Sequence, residues 1–383
     1  MDELPVFEPF TGIHTVKAVT DALDIGWLGM GAFTKEFEEK IGQFVAAGAR
    51  PVLATNTGTS ALHLALLVAG VGPGDEVIVP SFNFVADHQV ISATGAEPVF
   101  CDIRRDNLGL DVEKAQALVS PRTKAILPLH YAGIPCDLDG VYRLAERHSL
   151  RVIEDATHAF GSTHRGQKIG SFGDITCFSF DAVKVVTAID GGAVVCRNDD
   201  ELTKLQHYRL LGIDRDTVER YKNKRAWEYD VVDAGFRYHM TNINASIGLS
   251  QLARVEGFIE SRRATCRYFN EQLAGLDGIE TPHTDFSDVS PFIYFVLVRP
   301  SWRLELIDFL RERGVATGIH FMAAHNYTFY KECRHGDMEV TNQVVQQQLT
   351  LPLHSHMPIE KAERVVSGIK AFVAHKARAH VAA

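Results

Sequence analysis

Val52-Leu53-Ala54-Thr55-Asn56-Thr57-Gly58-Thr59-Ser60-Ala61-Leu62 is a short apolar run that gives way, through hydroxyl residues and one glycine, to helical spacing. Its first four residues predict a strand, and Ser60 to Ala69 predict a helix. At such a junction the backbone amides of Gly58 and Thr59 face outward at a helix N-terminus with hydroxyls beside them. That is a cup for an anion, phosphate above all. The same residues also suit an ordinary N-cap, for which Thr and Ser are preferred.

Beyond this junction the chain keeps alternating. Glu76 to Val79, Pro98 to Cys101, Lys124 to Leu127, Arg151 to Glu154, Ile175 to Ser179 and Ala193 to Cys196 predict strands. Val85 to Ala93 and Leu138 to His148 predict helices, and Gly70-Val71-Gly72-Pro73-Gly74-Asp75 and Gly133-Ile134-Pro135 supply the stops. The fold class is therefore α/β, a mostly parallel sheet covered by helices. Past Asn242 a long helical pattern through Leu273 leads to a C-terminal α+β portion from about Gly278, with a strand over Ile293 to Val298 and a helix over Arg303 to Arg313. Residues 1–245 are expected to form a large unit with an N-terminal arm, and residues 246–383 a linking helix and a smaller α+β unit. His375 to Ala383 are expected to fray.

The 383 residues, 46% of them hydrophobic, suffice for two cores. A net charge of -9 and the lack of a basic run argue against nucleic acid as a partner. No window is apolar for long enough to span a bilayer, and the N-terminus lacks a leader pattern, so a cytoplasmic protein is expected. The six cysteines form no Cys-x-x-Cys pair, which indicates neither a disulfide framework nor a metal site.

Within this frame Lys184 is out of place. It ends Phe178-Ser179-Phe180-Asp181-Ala182-Val183-Lys184 and precedes a further apolar run, on the connection between two predicted strands. A buried ammonium is costly, so the amine shifts toward its neutral form, the form that attacks carbonyl carbon. The alternative is a lysine whose stem is buried and whose head reaches water. Asp155 ends an apolar strand at the sheet edge where ligands of α/β proteins bind, and could hold a heterocyclic N–H or cap a following helix. His158, three residues on, could share that face. Asp155 and Lys184 lie 29 residues apart, far enough for further strands between them. An acid, an amine and a phosphate cup together match the three handles of pyridoxal 5'-phosphate.

Several segments taken in order are more specific. Thr57-Gly58-Thr59-Ser60-Ala61-Leu62, Gly70 to Pro80, Glu154-Asp155-Ala156-Thr157-His158-Ala159-Phe160-Gly161, Gly170-Ser171-Phe172-Gly173-Asp174, Phe178-Ser179-Phe180 with Lys184, and Gly26-Trp27-Leu28-Gly29-Met30-Gly31 resemble the DegT/DnrJ/EryC1/StrS aminotransferase family. The resemblance runs from about Pro5 to Leu353. It implies a fold-type I enzyme with a large, mostly parallel seven-stranded sheet domain plus a smaller C-terminal α+β domain. It further implies a homodimer with composite active sites that aminates a nucleotide-linked keto-deoxysugar, with L-glutamate as amino donor and pyridoxal 5'-phosphate cycling through pyridoxamine 5'-phosphate.

By position, the resemblance implies that Lys184 holds the cofactor covalently and that Asp155 pairs with the pyridine nitrogen. His158 would lie near the ring hydroxyl, Gly58, Thr59 and Ser179 would bind the phosphate, and Phe84 of Ser81-Phe82-Asn83-Phe84 would stack on the ring unless it is a core residue. Trp27, Asp181 and His320 are candidate substrate contacts; His320 and His325 equally suit packing. Arg237 stands where the family commonly has an asparagine that reaches the partner subunit's cofactor phosphate, and His239 where it has an arginine; Arg237 could make that phosphate contact with a full charge, bind substrate pyrophosphate instead, or be a surface arginine. Asp181 replaces a frequent histidine and Asp190 a frequent glutamate. Two rival readings remain: a dehydratase relative, which would carry histidine at the lysine position, and a non-catalytic regulatory homologue.

Overall fold

The computed structural model describes residues 3–46, 48–214 and 228–381. Seven strands form one sheet in the order β1-β9-β8-β5-β4-β2-β3. These are β1 (Val52–Thr55), β2 (Glu76–Pro80), β3 (Glu97–Cys101), β4 (Thr123–Ile126), β5 (Arg151–Asp155), β8 (Ile175–Ser179) and β9 (Gly192–Val195). The small hairpin β6 (Thr163–His164) and β7 (Gln167–Lys168) stands apart from the sheet. The pairs β2/β3, β2/β4, β4/β5 and β5/β8 are parallel, while β9 runs antiparallel to both β8 and β1.

Successive side chains of a strand point to opposite faces, and here both faces are covered. Ile78, Val99, Val152 and Phe178 belong to one core, and Val77, Val79, Phe100, Ile153 and Cys177 to the other. Each such buried aliphatic or aromatic side chain contributes about 1.5–3 kcal/mol of transfer free energy, which is why the strands read as unbroken apolar runs. A third core surrounds the antiparallel sheet β10 (Ile279–Glu280), β11 (Tyr294–Val298) and β12 (Gln348–Leu351). Leu4 from the N-terminal arm bridges Val315 and joins that third core.

Two local expectations need correction. The helical pattern from Asn242 to Leu273 is two helices, Asn242–Leu252 and Val255–Leu273. Neither Gly nor Pro marks the break. Arg254, outside helical geometry, turns its guanidinium back to the Ser250 carbonyl at 3.1 Å and to Thr15 Oγ1 at 3.2 Å, which satisfies groups that a helix end leaves open. The C-terminus does not fray at His375: the helix Ile359–Val381 continues, with Lys376 bonded to Glu305 and lying over the Phe372 ring. Residues 382 and 383 of that expectation lie outside the described residues. Among the described residues no helix is long and apolar enough to cross a membrane.

Candidate active site

Because β1 is antiparallel to β9 and β9 antiparallel to β8, the strands β1, β8, β5 and β2 all point the same way. Their C-terminal ends therefore share one edge of the sheet, where ligands of open α/β folds bind. Thr57 to Thr59 follow β1, Asn83 and Phe84 follow β2, Asp155 ends β5, and Ser179 ends β8 with Lys184 just beyond. All of these residues line a single cavity of about 340 Å³, together with Asp87, His158, Asp181, Asp190, Phe292 and His320.

The anion cup and the helix cap coexist. Thr57 is the N-cap of the helix Gly58–Val68, its side chain accepting the Ser60 amide at 2.9 Å. That bond uses the third amide of the helix and leaves the first two, those of Gly58 and Thr59, without an intrahelical acceptor. Gly58 has to be glycine: a Cβ there would sit 2.8 Å from Ser179 Cβ and 2.9 Å from its Oγ. Ser179 Oγ accepts the Asp181 amide at 3.3 Å, which holds this hydroxyl against the helix start.

Asp155 does not cap a helix, because none follows it. It is 3% exposed, and its Oδ1 accepts the Thr157 amide at 2.9 Å in a tight turn. Lys184 is partly buried, with Nζ 4.0 Å from the centre of the Phe292 ring. Desolvation pulls its ammonium down to about 8, against the opposing attraction of Asp155, Asp181 and Asp87. The side chain therefore does not simply snorkel to water. His158 is buried between Phe292, at 4.4 Å between ring centres, and Phe321, at 5.9 Å. Burial, then the nearby Lys184, His320 and His130, push His158 well below the usual imidazole range, so it is neutral. Its Nδ1 is buried with no hydrogen-bond partner in the protein.

Phe82 and Phe84 take different roles: Phe82 is fully buried in the core, while Phe84 is 54% exposed and faces the cavity. His320 lines the cavity with Nδ1 2.8 Å from Thr350 Oγ1, and burial with the charge of Lys184 lowers it to about 4. His325 packs elsewhere, against Ser81 Oγ at 2.7 Å. Trp27 and Arg237 do not line this cavity. Trp27 Nε1 donates to the Met30 carbonyl at 2.9 Å, and Arg237 is exposed. Sequence reasoning passed over Asp87, Asn83, Phe292 and Phe321. Asp87 carried no such signal, because an acid in the first turn of the segment predicted as the helix Val85 to Ala93 is common for local reasons.

These residues fit pyridoxal 5'-phosphate on the structure's own terms. A glycine that tolerates no Cβ and two open amides form an anion cradle, an orphaned imidazole nitrogen faces no protein partner, and a desolvated amine lies opposite a buried carboxylate.

Comparison with known proteins agrees. The DegT/DnrJ/EryC1/StrS aminotransferase family matches over residues 11–370. An uncharacterized protein of Methanocaldococcus jannaschii is 34% identical over 378 residues, 97% of each chain. The aminotransferase TlmJ from Streptoalloteichus hindustanus superposes with a TM-score of 0.90 at 31% identity, covering 97% of this chain and 99% of that one. Spr1654 of Streptococcus pneumoniae, assigned as a sugar aminotransferase and solved in its PMP form, gives a TM-score of 0.90 at 29% identity, with 97% and 99% covered. The chain thus belongs to the DegT/DnrJ/EryC1/StrS aminotransferase family and is a pyridoxal-phosphate-dependent transaminase of the sugar aminotransferase kind.

Proposed function

We propose that this transaminase converts a nucleotide-linked keto-deoxysugar into the amino sugar, with L-glutamate as amino donor. The observation that carries the reading is the convergence in one cavity of the Lys184 amine, lowered to about 8, with Asp155, Ser179 and the Gly58–Thr59 amides. When bound, the cofactor supplies an electron sink that makes the amine-bearing carbon acidic. In this reading Lys184 Nζ anchors the cofactor and then moves the proton at that carbon. The Asp155 carboxylate holds the proton on the ring nitrogen. Gly58, Thr59 and Ser179 bind the phosphate, Phe84 packs on the ring, and neutral His158 lies beside the ring hydroxyl.

Asp181 and His320, which line the cavity and are partly exposed, are assigned to substrate. Support for a sugar comes from the family and from the assignment of Spr1654; support for the nucleotide and for glutamate comes from the sequence motifs. Lysine rather than histidine at position 184 disfavours the dehydratase reading, and retention of an imine-forming amine disfavours a regulator. A panel of nucleotide-linked 3-keto and 4-keto deoxysugars, offered to the protein in its pyridoxamine phosphate form, tests this. One member is expected to restore the pyridoxal form; reaction with none of them would remove the sugar assignment and leave the cofactor.

The working unit in this reading is a homodimer, in which residues 1–245 and 246–383 form the large and small parts of each subunit. Ile13, Val16, Leu23, Ile25 and Leu28 are exposed apolar residues of the N-terminal region. The Leu28 carbonyl accepts the Asn242 amide at 3.2 Å, and Asn244 donates to the carbonyl of the cavity residue Asp190 at 2.8 Å, so this surface adjoins the site. Such a patch suits a second copy, which would bring Trp27 and Arg237 to the neighbouring cavity. Sedimentation should show a dimer for the wild type and monomer for Ile13→Asp/Val16→Asp, with activity lost alongside; an active monomer would contradict the composite site. The compartment in this reading is the cytoplasm, in keeping with six cysteines that all stand as free thiols.

A further inference from the structure

Asp87 is the third residue of the helix Val85–Ala93, a position where an exposed, ionised acid is usual because it faces the positive end of the helix dipole. Here the residue is 1% exposed and faces inward, into the cavity. Its carboxyl meets that of Asp155 within hydrogen-bond reach, and two buried carboxylates in contact do not both ionise. The neighbouring amide is fixed in orientation. Asn83 Oδ1 accepts the Phe84 amide at 2.6 Å, so Asn83 Nδ2 points to Asp87 Oδ2, at 2.5 Å.

We infer that Asp87 is a positioning residue for the cofactor site: held by Asn83, it is a neutral carboxylic acid that donates its proton in a hydrogen bond to the Asp155 carboxylate. Desolvation first, then the charge and hydrogen bond of Asp155, raise Asp87 well above the usual carboxylate range, which agrees with the geometry. Among the described residues the charged Lys184 and the buried Cys177 thiol also face the pair. The pair then carries one negative charge. Asp155 is gripped from two sides, by the Thr157 amide and by Asp87, and its free lone pair is aimed by the protein before any ring arrives. The inference rests on the assignment of Asp155 to the ring nitrogen for its purpose, though not for the existence of the acid pair.

Infrared spectroscopy of the apoprotein reads the pair directly. The wild type at pH 7 should show the C=O stretch of a buried protonated carboxylic acid, and Asp87→Asn should lack it. The asparagine can still donate to Asp155 and accept from Asn83, so cofactor affinity in Asp87→Asn should stay within about threefold of wild type. Asp87→Ala, which leaves a charged acceptor without its donor, should bind the cofactor about tenfold or more weakly. Identical spectra for wild type and Asp87→Asn would overturn the inference, as would equal cofactor affinities for the Asn and Ala variants. If Asp155→Asn bound and used the cofactor as well as wild type, the ring-nitrogen assignment would fail while the acid band remained, so the two failures are distinguishable.

Discussion

Lys184→Ala is expected to lower turnover by at least about ten-thousandfold, since in the proposed reading it removes both the nucleophile and the base. The cofactor-loaded wild type should show a visible absorbance that glutamate discharges, and the variant should show neither. The physical ground is the shift of the amine from 10.5 to about 8. At pH 7 that leaves about one amine in ten neutral, against about one in three thousand without the shift. The rate at which the apoprotein takes up cofactor should therefore rise about tenfold per pH unit below 8 and level off above it. Protein folding offers a control. Desolvation outweighs the attraction of Asp155, Asp181 and Asp87, so the ammonium is held at a net cost, and the apo variant should melt no lower than wild type. Full activity in Lys184→Ala would overturn the assignment; a melting point well below wild type would mean that the amine is structural.

Why were Lys184 and Asp155 legible in the sequence, when Asp87 was not? The first two interrupt or end apolar strand patterns of period two, where every position is buried and any charge is conspicuous. Asp87 sits in the first turn of a helix, where acids are common for local reasons, so its burial becomes visible only once β2 and β5 are set in the same sheet. The seven strands of the large sheet were read almost to the residue, because apolar burial on both faces leaves an unbroken signal, whereas β6, β7, β10 and β12 were not read. The N-terminal helix Ile13–Asp24 carries the exposed apolar residues Ile13, Val16 and Leu23 beside buried ones, which blurs the helical period. The break at Arg254 was hidden because a long-range bond to Thr15 helps to close the helix end. Gly58 shows the reverse case. Its place in a motif was plain from the sequence, yet the reason no side chain fits, the approach of Ser179 from β8, belongs to tertiary structure alone.

Asp155→Asn should lower kcat by about a thousandfold while leaving the KM for the keto substrate within a few fold, the scale on which loss of one preorganised electrostatic group acts. Asparagine can still accept the Thr157 amide, so the local turn survives. In the proposed reading, what disappears is the negative charge that would keep a proton on the ring nitrogen, and with it the pull on electrons that the ring would supply. The burial of Asp155, at 3% exposed, makes that charge count for more than it would in water, because little solvent screens it. The fold should not suffer, since the substitution removes one of two acids that share a single charge. A cofactor analogue methylated at the ring nitrogen carries its positive charge permanently. It should therefore restore part of the lost rate in Asp155→Ala, where there is room for the methyl group, and none in Lys184→Ala. Retention of activity within tenfold by Asp155→Asn, or equal response of both variants to the analogue, would show that the charge at position 155 acts through something other than the ring.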